Sequence, residues 1–104
     1  MGIYDDLIGK HVIVRADHSG VHFGTLTAYD GDTIRLKDSR RLWKWHVAGT
    51  GISLSEVAIT GVDHAKSRIT MTLPDLVVMG ACEVIPCHGM AVATIMNAPV
   101  SEAE

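Results

Sequence analysis

Residues 11 to 45 alternate β-type runs with turn chemistry, and this succession constrains the fold more than any other feature. His11-Val12-Ile13-Val14-Arg15 reads as a strand, and Asp17-His18-Ser19-Gly20 as a turn. Val21-His22-Phe23-Gly24-Thr25-Leu26-Thr27 reads as a second strand. Side chains alternate across a strand, so Val21, Phe23 and Thr25 share one face and His22, Gly24 and Leu26 the other. The Asp30-Gly31 pair is a strong hairpin signal. A third strand then runs from Thr33 to about Lys37 and leads into Asp38-Ser39-Arg40-Arg41-Leu42-Trp43-Lys44-Trp45-His46.

Later signals are mixed. Ala48-Gly49-Thr50-Gly51 is a flexible break. Ser53-Leu54-Ser55-Glu56 has the spacing of a capping box and predicts a short helix that stops at Gly61. Ser67 to Leu73 alternates weakly and predicts a strand ending at Pro74. Leu76 to Ile85 predicts another strand, centred on Ala81–Ile85 and closed by Pro86. His88 to Asn97 predicts a short helix with Gly89 near its start. It has almost no polar side, so it is expected to pack on most sides, and a second subunit can supply part of that cover. The expected class is α+β: mainly an antiparallel β-sheet or small barrel with one or two short helices. With 104 residues the chain is one domain, 1–98, followed by an acidic tail, 99–104, expected to be frayed.

Charge and composition remove several functions. The net charge of −3 argues against a non-specific nucleic-acid binder. No run approaches a membrane span. Met-Gly-Ile-Tyr-Asp-Asp has no basic region before an apolar run, so a signal peptide is not expected, and Gly2 followed by Asp6 does not meet the myristoylation pattern. Two cysteines without a secretion signal indicate a reducing, cytoplasmic setting. Cys82 and Cys87 are five apart around Pro86, and His18 and His22 flank a turn. Neither spacing suits zinc, and no metal or other cofactor is expected. No nucleophile elbow, Walker loop or dinucleotide fingerprint is present, so no catalytic residue is assigned. The acidic pairs Asp5-Asp6 and Asp30/Asp32 read as solvated turn residues.

One segment does carry chemistry. Residues 37–46 hold four of the nine Lys and Arg residues and both tryptophans. Guanidiniums grip phosphate through paired hydrogen bonds, and an indole face stacks a base for ~1–3 kcal/mol. A candidate ligand site follows: Arg15, Arg40 and Arg41 for charge, Trp43 and Trp45 for stacking, Ser19, His22 and Lys37 for hydrogen bonds. Without a bulge, Arg35, Lys37, Ser39, Arg41, Trp43 and Trp45 share one face, with Ile34, Leu36 and Leu42 on the other. A turn at Asp38-Ser39 would break that phase, and the sequence leaves both arrangements open. Packing at a subunit interface is an alternative role for the tryptophans. A salt bridge to Asp38 or Glu56 is the alternative for Arg40 and Arg41.

The series Val-Ile-Val-Arg (12–15), Gly-Val-His-Phe-Gly-Thr-Leu (20–26), Leu-Lys-Asp-Ser-Arg-Arg-Leu-Trp-Lys-Trp (36–45), Ser-Leu-Ser-Glu-Val-Ala (53–58) and Glu-Val-Ile-Pro-Cys (83–87) resembles a family of small proteins of tailed bacteriophages and prophages. The resemblance spans about residues 9 to 88 and departs at Ala16-Asp17-His18, where the family tends to have Thr-Tyr-Ser, and in the inserted-looking Val47–Ile52. The family's function is unknown. A phage origin implies action in the cytoplasm of an infected bacterium. It also implies an anti-defence role for a small non-enzymatic protein: a homo-oligomeric sponge that holds a nucleotide second messenger, of cyclic oligonucleotide or cyclic ADP-ribose type, between its subunits. A protein-interaction module that inhibits a host protein, and an enzyme that cleaves the signal, are the alternatives.

Overall fold

The structure is a computed structural model and describes residues 3–102. Gly2 and the last two residues of the acidic tail lie outside it. The three strands read from the sequence form a meander: β1 (His11–Ala16), β2 (Gly20–Asp30) and β3 (Thr33–Lys44) pair antiparallel in sequence order. Gly20 and Gly31 supply the left-handed backbone that the two turns require, at φ 85° and 59°.

The remaining strands are β4 (Arg68–Ile69), β5 (Leu73–Val78) and β6 (Ala81–Pro86). Both β4 and β5 pair along the free side of β3, β5 with its first half and β4 with its end, while β6 pairs with β1. The sequence reading of one strand from Ser67 to a stop at Pro74 is therefore corrected. Arg68 and Ile69 alone form β4, Leu73 already pairs in β5, and Pro74 lies inside β5. A proline is tolerated there because β5 is an edge strand with one side free of a ladder. Edge strands β5 and β6 are consecutive in the chain and joined by Met79-Gly80 alone, so the sheet curls until its two edges meet at that corner. No ladder joins them among the described residues, so the sheet is open. The class is α+β and β-rich.

The curl separates two cores. Its concave side holds Val12, Val14, Ala16, Leu26, Ile34, Leu36 and Val78. Its convex side presents Ile13, Phe23 and Leu42 to the helices α1 (Leu54–Thr60) and α2 (Gly89–Met96), through Leu54, Val57, Ala58 and Ile95. The predicted capping box starts α1: Ser53 Oγ accepts from Glu56 N–H, and Glu56 Oε1 accepts from Ser53 N–H. Helix α2 buries one side only, with Met90 and Met96 exposed. The tail is not frayed up to Glu102. Ser101 pairs with Ile69 through backbone and hydroxyl, and Arg68 donates to the Glu102 carbonyl.

One irregularity decides where the functional side chains point. Between Phe23↔Arg40 and Thr25↔Lys37, β2 advances two residues while β3 advances three. This β-bulge lies at Asp38-Ser39, where Asp38 adopts φ 51°. Gly24 lies opposite. A Cβ at Gly24 would come within 3.1 Å of the Leu36 Cβ and 3.2 Å of the Lys37 carbonyl oxygen and Ser39 Cα. The extra residue inverts the phase of β3. Ile34 and Leu36 face the concave side before it, Ser39 and Arg41 after it, and Arg40 and Leu42 turn toward the helices. The single face for Lys37, Arg41 and Trp45 expected of an unbroken strand does not exist.

Candidate functional site

The bulge sets Arg41 directly across the ladder from His22. His22 is in turn across from Val14 on β1, so these three side chains share the concave face. At this end of the sheet the apolar interior gives way to a polar mouth. His22 is buried, with 1% of its surface exposed. Its Nε2 is 3.0 Å from Ser19 Oγ in the β1–β2 turn. Its Nδ1 is buried without a hydrogen-bond partner among the described residues. Such an orphan costs ~1–3 kcal/mol and calls for an explanation. Burial, then the positive charge of Arg41, lowers the pKa of His22, against a smaller opposing effect from Ser19. The imidazole is therefore neutral at pH 7.

Arg41 stands at the centre of a groove made of three adjoining pockets. One, of about 310 Å³, is lined by His22, Ser39, Arg41, Thr70, Met71, Leu73 and Leu76. The next runs past His18 and Ser19 along Leu76 to Gly80 and measures about 390 Å³. The third, about 420 Å³, lies between the β1–β2 turn and Trp43. Arg41 lines all three, and its guanidinium has no ion pair or hydrogen bond with another described side chain. Its backbone is fixed by Thr70, whose Oγ1 accepts from Arg41 N–H at 2.9 Å. Trp43 is 71% exposed, so its indole is a wall rather than a core residue.

Of the eight residues singled out from sequence, the structure thus gathers Ser19, His22, Arg41 and Trp43. Four others lie elsewhere. Arg15 is across from Glu83 and pairs with it at 3.7 Å. Lys37 lies before the bulge, exposed and across from Asp75. Trp45 packs against the helix-side core.

Arg40 departs furthest from expectation. It is buried on the helix side, and its guanidinium donates to the carbonyls of Thr70, Ile95 and Ala98 at 2.7 Å each. Two of these acceptors flank the C-terminus of α2, where unpaired carbonyls concentrate partial negative charge. Burial lowers the pKa of Arg40, but the carbonyl cage satisfies the charge it carries. Neither arginine pairs with Asp38 or Glu56 among the described residues.

His18, Ser39, Thr70 and Leu76 complete the groove and were missed in the sequence. Only the Asp38-Ser39 turn chemistry hinted at them, through the phase change it imposes. No three His, Cys, Asp or Glu side chains converge as metal ligands among the described residues. Burial pushes the Cys87 thiol up to about 12, so it is inert as a nucleophile at neutral pH. No described helix is long and apolar enough to cross a membrane.

These features define a small β-rich domain with a polar groove at the mouth of a curled sheet. A family model described as a domain of unknown function, DUF6948, matches residues 9–95, and the chain belongs to that family. No curated protein and no solved structure matches the chain.

Proposed function

We propose that this protein binds a phosphate-bearing ring compound of nucleotide type in the Arg41 groove and holds it without chemical change. The observation that carries the reading is the unpaired guanidinium of Arg41 at the junction of three pockets, between an exposed indole and a buried imidazole. A guanidinium without a carboxylate partner is ready to grip an oxyanion in bidentate fashion. Trp43 offers a face for a base, and Leu73 and Leu76 offer an apolar floor. Ser19 and His22 add polar contacts. The sequence resemblance to phage proteins extends the proposal to a sponge for a nucleotide immune signal in an infected bacterium, acting as a homo-oligomer. A sponge works by stoichiometry, so slow release matters more than rate.

Retention without turnover fits the groove better than hydrolysis. Ser19 and His22 are hydrogen-bonded, but no described carboxylate bonds to His22 to orient it as a base. A second reading, an interaction module that inhibits a host protein, draws support from exposed Met71, Leu73, Val77 and Met79 beside the open edge of β5.

Incubation with a panel of cyclic oligonucleotides and cyclic ADP-ribose isomers, followed by heat denaturation and chromatography, separates the readings. Depletion of one compound and its intact return on heating is the expected result. A processed product assigns an enzyme. Failure to deplete any compound contradicts nucleotide retention and favours the interaction module.

A further inference from the structure

Ser39 and Trp43 stand before and after Arg41 in β3, each roughly 6.6 Å away along the strand. Each belongs to a different pocket. Trp43 bounds the one beside the β1–β2 turn, and Ser39 lines the one floored by Leu73 and Leu76. Among the described residues these two pockets share Arg41 and no other lining side chain, so the guanidinium divides them. The Ser39 pocket has a polar group of its own. Ser39 is 2% exposed, yet its hydroxyl has no hydrogen-bond partner among the described residues. The neighbouring hydroxyl of Thr70 is already engaged, accepting from Arg41 N–H and donating to the Met71 carbonyl. A largely buried hydroxyl without a partner calls for an explanation, and one that lines a pocket is completed by a ligand atom. Apolar walls around one convergent polar group suit a flat heteroaromatic ring.

We infer that the Ser39 pocket receives a second ring, so that the ligand of this groove is two nucleosides joined through a phosphodiester. The inference rests on the nucleotide reading of the groove and narrows it. One ring lies on Trp43 and the phosphate on Arg41. The other ring lies on Leu73 and Leu76, with a polar edge atom at the Ser39 hydroxyl. A mononucleotide carries its phosphate at one end and leaves one of the flanking pockets empty. Charge points the same way. Arg41 is the one Lys or Arg among the described lining residues, and a bridging diester brings one negative charge where a terminal monoester brings ~1.5–2. Ser39 is then a specificity-determining residue, because a ring without a polar edge leaves its hydroxyl unpaired.

The test is calorimetric titration of the full chain with dinucleoside monophosphates and cyclic dinucleotides, set against mononucleotides and ADP-ribose as compounds with a single base. The tightest two-base compound should bind about fivefold or more tightly than its mononucleotide, the gain from one further buried ring. Ser39→Ala should weaken it about threefold or more, the worth of one hydrogen bond. Met71→Ser, at a position 69% exposed, strips part of the second ring's wall and should weaken it as well. A one-base compound that binds as tightly overturns the inference while the nucleotide reading stands. Two-base binding that survives both Ser39→Ala and Met71→Ser does the same. Failure of every two-base compound to bind also overturns it, and the retention panel then decides separately whether the groove holds a compound with a single base.

Discussion

Arg41 faces His22 across the β2–β3 ladder because Asp38 and Ser39 bulge out between Lys37 and Arg40. Were β3 to run unbroken through Asp38 and Ser39, Arg40 would take the concave position and Arg41 would turn to the helices. The groove is thus a product of backbone geometry at two positions: left-handed Asp38 on one strand and Gly24, where a Cβ would crowd Leu36, Lys37 and Ser39, on the other.

The bulge can be tested through its backbone. Gly24→Ala drives a methyl group against Leu36, Lys37 and Ser39 and should destabilise the protein by about 1–3 kcal/mol. Asp38→Gly, which relieves a positive φ, should stabilise it or leave it unchanged. Urea unfolding measures both. Stabilisation by Gly24→Ala contradicts the bulge.

Arg40 and Arg41, adjacent in sequence, should behave oppositely. Arg40→Ala strips donors from the carbonyls of Thr70, Ile95 and Ala98 and should cost about 2–4 kcal/mol of stability. Arg41→Ala should change stability by no more than about 0.5 kcal/mol. Thermal and urea unfolding of the pair checks this, and equal losses contradict the assignment.

Trp43→Ala should leave fold and oligomer size intact, since the indole is 71% exposed. It should weaken retention of the ligand by about 1–3 kcal/mol, the worth of a stacked ring. Dissociation of an oligomer by this variant, seen by light scattering, assigns Trp43 to a subunit interface instead.

His22 gives a pH dependence of known sign. Its folded pKa lies below the ordinary 6.5, so below pH 6.5 the unfolded chain binds a proton that the folded chain refuses. Stability should therefore fall as pH drops from 6.5 toward the folded pKa and be level above that window. The stabilisation that Arg35 gives the Asp75 carboxylate is present at neutral pH and is lost only as pH falls through the ordinary carboxylate range and below, outside the histidine window. His22→Phe should flatten the mildly acidic slope. An unchanged slope in that variant contradicts the buried, neutral imidazole.

The first three strands, the capping box and the α2 helix were legible because each rests on local chemistry: turns ending in Gly20 and at Asp30-Gly31, Ser53 with Glu56, a run of apolar residues. The β4–β5 division was not. Pro74 reads locally as a stop, and only the topology reveals that β5 has a free edge on which proline is tolerated. The candidate site was half legible. Composition drew the eye to residues 37–46, but alternation cannot be carried through a bulge, so Lys37, Arg40 and Trp45 were placed with Arg41. Nor does sequence show that Arg40 meets the end of a helix fifty-five residues on, at Ile95.

We place the ligand in the Arg41 groove and not along the basic-aromatic segment as a whole. Calorimetric titration of the compound that the native protein retains, into wild type, Arg41→Ala and Lys37→Ala, tests it most directly. Binding lost in Arg41→Ala and preserved in Lys37→Ala is the predicted result. Equal affinity of the two variants, or loss with Lys37→Ala alone, would contradict it.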